Sequence, residues 1–140
     1  METSPLADPK DKLVVVIDDD DSVREVLEFV VKKEGFRCDS AADGEAGLEK
    51  ITSLLPDLVV LDLMLPRYGG FEVLRQLQSG ETGRIPIIIV TGRYTDRTTA
   101  EMIRQESNVM DFLEKPVKIE ALALTLHKIL KTQPPVRAKR

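Results

Sequence analysis

Tryptophan is absent from this 140-residue sequence, and aromatic residues make up only 4% of it. Cysteine occurs once, at Cys38, which excludes an intramolecular disulfide framework and a zinc site built from several cysteines. No apolar run approaches the roughly 18 residues that a membrane span needs. Met1 to Pro9 are polar and proline-punctuated, with no apolar segment to serve as a secretory signal. Basic residues are outnumbered by acidic ones outside the end of the chain. Residues 1–120 carry 15 basic against 24 acidic side chains, and Lys128, Lys131, Arg137, Lys139 and Arg140 all follow Glu120, the last acidic residue. A body this acidic repels a phosphate backbone, so direct nucleic-acid binding is not expected, whereas a cation or a basic partner would be attracted. The expectation is one cytoplasmic domain, large enough to bury a core without cross-links.

What the sequence does have is alternation. Leu13–Ile17 is an apolar run that stops at four aspartates, Asp18 to Asp21. Ser22 and Glu25 then have capping-box spacing, and Val23, Val26, Leu27, Val30 and Val31 fall on one helical face that Gly35 is placed to end. The same strand-then-helix pattern recurs. Strands are expected at 36–41, 58–61, 87–90 and 109–113. Helices are expected at 44–55 (Leu48, Ile51 and Leu55 inward), after Gly70 (Phe71, Leu74, Leu77), at 96–106, and from Ile119 (with Leu122, Leu126, Ile129 and Leu130). Five strands alternating with five helices imply a doubly wound α/β domain with a parallel sheet covered on both faces. The second and fifth strands admit polar residues, as edges can, and right-handed crossovers then favour the order 2-1-3-4-5. The expected organisation is a disordered segment over 1–12, the domain over 13–131, and a basic, Pro-containing tail or start of a linker over 132–140.

In such a sheet every strand ends on one edge, and ligands bind there beside the point where the winding reverses. Asp18 and Asp19 follow the first strand, Asp62 the third, Thr91 the fourth and Lys115 the fifth. Singly each has an ordinary explanation. Aspartates before a helix complement its dipole, which suffices for Asp20 and Asp21. Jointly they make a site. Three carboxylates cannot crowd together ionised without compensation, and Mg²⁺ (or Mn²⁺) supplies it with a few carboxylates plus water and phosphate oxygens. A hydroxyl and an ammonium then suit the remaining phosphoryl oxygens, and a carboxylate can itself be the nucleophile. Asp62, on a central strand, is the best placed to accept a phosphoryl group.

The stretches V-V-V-I-D-D-D-D-S-V-R at 14–24, V-V-L-D-L-M-L-P at 59–66, P-I-I-I-V-T-G at 86–92 and D-F-L-E-K-P at 111–116 closely resemble the receiver domain of two-component response regulators, a CheY-like, flavodoxin-like fold. The family has this strand order, so the order lends the resemblance no independent support. The resemblance implies that Asp62 is the phosphoacceptor, that Asp18 and Asp19 form the acidic pair, with Asp19 the direct metal ligand, and that the Met64 backbone carbonyl is a third protein ligand. It implies that Thr91 and Lys115 are the switch hydroxyl and phosphate-binding lysine, and that Lys115–Pro116 is cis. It further implies a histidine kinase or phosphotransfer protein as donor and a downstream effector as recipient. Output, and a homodimer where one forms, would use the fourth helix, fifth strand and fifth helix. The domain is then a phosphorylation switch and not an enzyme.

Some positions depart from the family's commonest pattern: Gly92 for a frequent Ala, Phe112 for a frequent Tyr as switch aromatic, Asn108-Val109 for Gly-Ala, and Arg67-Tyr68-Gly69-Gly70 for a Gly-x-Asp-Gly loop. Two rival readings follow. Asp18, Asp20 and Ser22 faintly imitate the opening of a haloacid-dehalogenase-type phosphatase, but only Glu120 among acidic residues follows Lys115. A phosphorylation-independent interaction module would keep the fold without needing the complete set of five polar groups.

Overall fold

Short apolar runs form the strands β1 (Leu13–Ile17), β3 (Leu58–Asp62) and β4 (Ile87–Thr91), and segments of mixed polarity form β2 (Arg37–Ala41) and β5 (Val109–Glu114). These come from a computed structural model in which residues 6–65, 69–92, 101, 103–106 and 108–135 are described. Among the described residues the α-helices are α1 (Asp21–Lys33), α2 (Gly44–Leu54), α3 (Gly70–Gln76) and α4 (Ile119–Leu130), the last being the fifth helical pattern of the sequence. Of the segment 96–106, Glu101, Ile103 and Arg104 are helical. Thr98, Thr99, Ala100 and Met102 lie outside the described residues, as do Arg67, Tyr68 and the basic positions of the tail at 137–140.

The five strands are parallel in the order β2-β1-β3-β4-β5. The alternation of side chains along each strand builds two cores. Val15 and Ile17 of β1, with Val59, Leu61, Ile87 and Ile89, face α2 and α3, where they meet Ile51, Val73, Leu74 and Leu77. Val14 and Val16, with Leu58, Val60, Ile88 and Val90, face α1 and α4, where they meet Leu27, Val30, Leu122 and Leu126. Each fully buried Leu, Ile or Val contributes about 1.5–3 kcal/mol, so the central strands are the rigid part of the molecule. The edge strands β2 and β5 are only partly buried, as their polar residues require.

The helix stripes were read too broadly. Val26, Leu55, Phe71 and Ile119, all expected inward, are between 41% and 45% exposed. Val26 flanks the buried line of Leu27, Val30 and Val31. Leu55 lies past the end of α2 with a left-handed φ of 46°, and Phe71 and Ile119 sit in the first turns of their helices. The start of α1 also differs: Asp20, not Ser22, is the N-cap, its Oδ1 accepting from the Val23 N–H at 3.1 Å. Gly35 does follow α1 in the left-handed region, φ 98°.

Backbone pairing ties residues near the start of the described chain to residues just after α4. Ala7 pairs with Thr132: the Ala7 N–H donates to the Lys131 carbonyl, and the Gln133 N–H donates to the Ala7 carbonyl, both at 3.0 Å. Pro9–Asp11 form a 3₁₀ turn with Pro9 buried. Beneath this clasp His127 lies between two buried partners, its Nδ1 2.7 Å from Thr132 Oγ1 and its Nε2 2.8 Å from Glu34 Oε1. No helix among the described residues is long and apolar enough to cross a membrane.

Candidate functional site

The carboxyl ends of β1, β3, β4 and β5 bring Asp18, Asp62, Thr91 and Lys115 to one edge of the sheet. Asp18 is fully buried: its N–H donates to the Ala41 carbonyl at 3.2 Å, and its Oδ1 accepts the Asp20 N–H at 2.9 Å. Asp19, the next residue, is exposed. Asp62 is 2% exposed, and its Oδ1 accepts the Met64 N–H at 2.9 Å, so the turn after β3 holds the carboxylate in place. Met64 itself has an exposed side chain, leaving its backbone as the part that faces the turn. Below that turn sits Gly70, where a Cβ would overlap the Asp62 carbonyl oxygen and the Leu63 backbone, so only glycine allows α3 to start this close.

Lys115 is brought in by the β4–β5 register. Thr91 is opposite Glu114, and the Lys115 N–H donates to the Thr91 carbonyl at 2.7 Å before the cis Lys115–Pro116 peptide turns the chain away. The Lys115 ammonium thereby lies 3.0 Å from Asp18 Oδ2 and 3.3 Å from Asp62 Oδ2. Thr91 is buried at the same strand end. Burial pushes the Asp18 carboxyl above its ordinary range, against the opposing pull of the Asp20 N–H and Lys115. Burial alone would lower the Lys115 ammonium, but its pairing with the Asp18 and Asp62 carboxylates leaves it raised.

One oxygen each from Asp18, Asp19 and Asp62 lie within 4.8 Å of one another. A six-coordinate Mg²⁺ with oxygens at about 2.1 Å spans at most about 4.2 Å between opposite ligands, so small side-chain movements would close the set on one ion. The residues fit such a cation for a second reason. Asp18 Oδ2 is buried and accepts no well-formed hydrogen bond among the described residues, leaving Lys115 as its charge partner. A hard cation would complete what that ammonium only partly compensates.

Sequence reasoning overlooked two features. Arg24 was read only as part of a motif, yet its Nη1 donates to the Asp18 carbonyl at 2.9 Å and its Nη2 to Asp21 Oδ1 at 2.6 Å. Its position three residues after Asp21 was the available signal. The Glu34–His127 pair spans 93 positions and left no local signature beyond a lone histidine inside an apolar stripe. Phe112 is half-buried against the core that includes Ile103, and the Arg104 guanidinium lies 4.9 Å from its ring centroid. Burial pushes the Cys38 thiol up to about 11, which disfavours the thiolate.

Comparison with known proteins matches residues 14–127 to the response regulator receiver domain. The chain belongs to that family. The receiver domain is similar, at 37% identity over 118 residues, to the transcriptional regulatory protein AfsQ1 of Streptomyces coelicolor, covering 84% of this chain and 51% of that protein. It is equally similar, at 37% over 123 residues, to the response regulator MprA of Mycolicibacterium vanbaalenii, covering 87% of this chain and 52% of that protein. The chain thus spans about half the length of these curated relatives. The chemotaxis protein CheY4 of Vibrio cholerae superposes with a TM-score of 0.77 over 85% of this chain and 98% of its own; at 24% identity this is a likeness of fold. Receiver domains of two-component systems generally bind Mg²⁺, work with histidine kinases and effectors, and act as signalling domains and not as classical enzymes.

Proposed function

We propose that this receiver domain is a phosphorylation switch in which Asp62 accepts a phosphoryl group from a histidine kinase or phosphotransfer protein. One Asp62 oxygen bonds to phosphorus as the bond from phosphorus to the donor breaks, its electron pair leaving with the donor. Asp18, Asp19, Asp62 and the Met64 carbonyl would hold Mg²⁺ or Mn²⁺. The cation offsets negative charge as the phosphoryl group approaches the carboxylates. Lys115, already charged and beside Asp62, pairs with a phosphoryl oxygen, and the Thr91 hydroxyl donates to another.

The observation that carries this reading is the position of the Lys115 ammonium between two buried carboxylates, with a third next to them. Drawing Thr91 and Lys115 toward the new charge would move the strand ends that carry them relative to Ile103 and Arg104. Phe112 would re-pack against Arg104, and the surface of β5 and α4 would change its affinity for an effector or a second copy. The test is to treat the protein with Mg²⁺ and acetyl phosphate, reduce with borohydride, and sequence the peptides. Homoserine at position 62 is the expected product. Homoserine elsewhere, or turnover of a phosphate ester that depends on Asp18 and survives loss of Asp62, would overturn the reading.

A further inference from the structure

We propose that Arg24 is the positioning residue of the cation site: by gripping the peptide between Asp18 and Asp19 it sets the direction in which Asp19 leaves the chain, and thereby the affinity for Mg²⁺. The proposal rests on the reading of Asp18, Asp19 and Asp62 as cation ligands.

The carbonyl that Arg24 Nη1 holds at 2.9 Å belongs to the peptide joining the two acids. Asp18 is otherwise held by its N–H to Ala41 on the sheet side and by the Asp20 N–H, which donates to its Oδ1 across the next peptide. That turn limits the rotation of the peptide but does not hold its carbonyl, which Arg24 does. Rotation of that plane changes ψ of Asp18 and φ of Asp19 together, and so swings the exposed Asp19 carboxylate relative to the two buried ones. Arg24 opposes the rotation from the first turns of α1. Its second prong is tied to Asp21 Oδ1 at 2.6 Å, and its Nε lies 3.8 Å from Glu28 Oε2, so the guanidinium is fixed on both sides and only 18% exposed. A planar fork can hold a backbone carbonyl and a carboxylate at once; an ammonium keeps the charge but not that pair of directed donors.

Geometry and charge predict opposite signs, which makes the idea decidable. A fixed cation near the site repels Mg²⁺, so by charge alone Arg24→Ala would tighten binding and Arg24→Lys would leave it unchanged. By positioning, both substitutions weaken it, by about tenfold in the dissociation constant, the scale typical of residues that orient metal ligands. Calorimetric titration of Mg²⁺ into the full chain and its Arg24→Lys and Arg24→Ala variants reads this directly. Arg24→Lys carries the test if Arg24→Ala folds poorly. Labelling by acetyl phosphate gives the second readout: the half-saturating Mg²⁺ rises with the dissociation constant, while the rate at saturating Mg²⁺ returns close to that of the parent protein. A merely structural role would lower the rate at every Mg²⁺ concentration and would overturn the proposal. Unchanged Mg²⁺ affinity in Arg24→Lys, or tighter binding in Arg24→Ala, overturns Arg24's part alone. Absence of saturable binding in the parent protein overturns the ligand set, and Arg24's part with it.

Discussion

Asp18 bears the cost of the site. Its carboxylate is fully buried, one oxygen lacks a well-formed hydrogen bond among the described residues, and burial raises its pKa. A carboxyl with a folded value above its unfolded one binds its proton more tightly in the fold. Metal-free stability therefore falls as pH rises out of the ordinary carboxylate range, and the loss is complete only above the raised folded value. Asp18→Asn keeps an oxygen for the Asp20 N–H and removes the charge, so it should raise the free energy of unfolding at neutral pH without Mg²⁺ by about 1 kcal/mol. The gain should shrink toward acidic pH, where the parent protein's Asp18 is itself protonated. Urea unfolding at two pH values measures both. At this scale the sequence was informative about the site because the strand ends mark it: Asp18, Asp62 and Thr91 each follow an apolar run, and Lys115 follows the fifth strand. It was only partly informative about Arg24: the spacing to Asp21 signals that ion pair, but the hold on the Asp18 carbonyl exists only once the turn is folded.

At the scale of elements, two packing devices matter. The close start of α3 beneath the Asp62 turn depends on Gly70 having no side chain. Gly70→Ala should destabilise the domain by about 1–3 kcal/mol through overpacking, and should slow phosphoryl labelling because the turn that holds Asp62 must shift. Urea unfolding and labelling rates check the two effects. The second device is the buried Glu34–His127–Thr132 contact, which joins α1, α4 and the chain's two ends. His127→Ala would remove the imidazole's two hydrogen bonds and leave a cavity, and should cost about 2 kcal/mol. It should also speed hydrogen exchange at the Ala7 and Gln133 amides, since their pairing rests on Thr132. Strands and helix order could be read from periodicity, because three short apolar runs and the helical stripes between them leave few alternatives. Helix faces could not be read to the same precision. A 3.6-residue stripe marks which side is apolar without saying where the sheet ends, which is why Val26, Leu55, Phe71 and Ile119 are exposed.

For the whole molecule, the acidity of the first 120 residues resolves into two parts. Some carboxylates serve local structure, such as Asp20 capping α1 and Asp39 pairing with Lys50 at 2.7 Å. Three of them, Asp18, Asp19 and Asp62, converge on one point of the sheet edge, with Lys115 reaching in from the far strand. The parallel sheet is what turns residues far apart in sequence into one site, and the rigid central strands are what would let a charge added there be felt across β4 and β5. The central claim is that Asp62 is where that charge is added. It is tested most directly by the intact mass of the protein after incubation with Mg²⁺ and acetyl phosphate, with Asp62→Asn and a Mg²⁺-free sample alongside. The expected result is the added mass of one phosphoryl group on the parent protein with Mg²⁺, and none on Asp62→Asn or without the cation. Undiminished labelling of Asp62→Asn would contradict it.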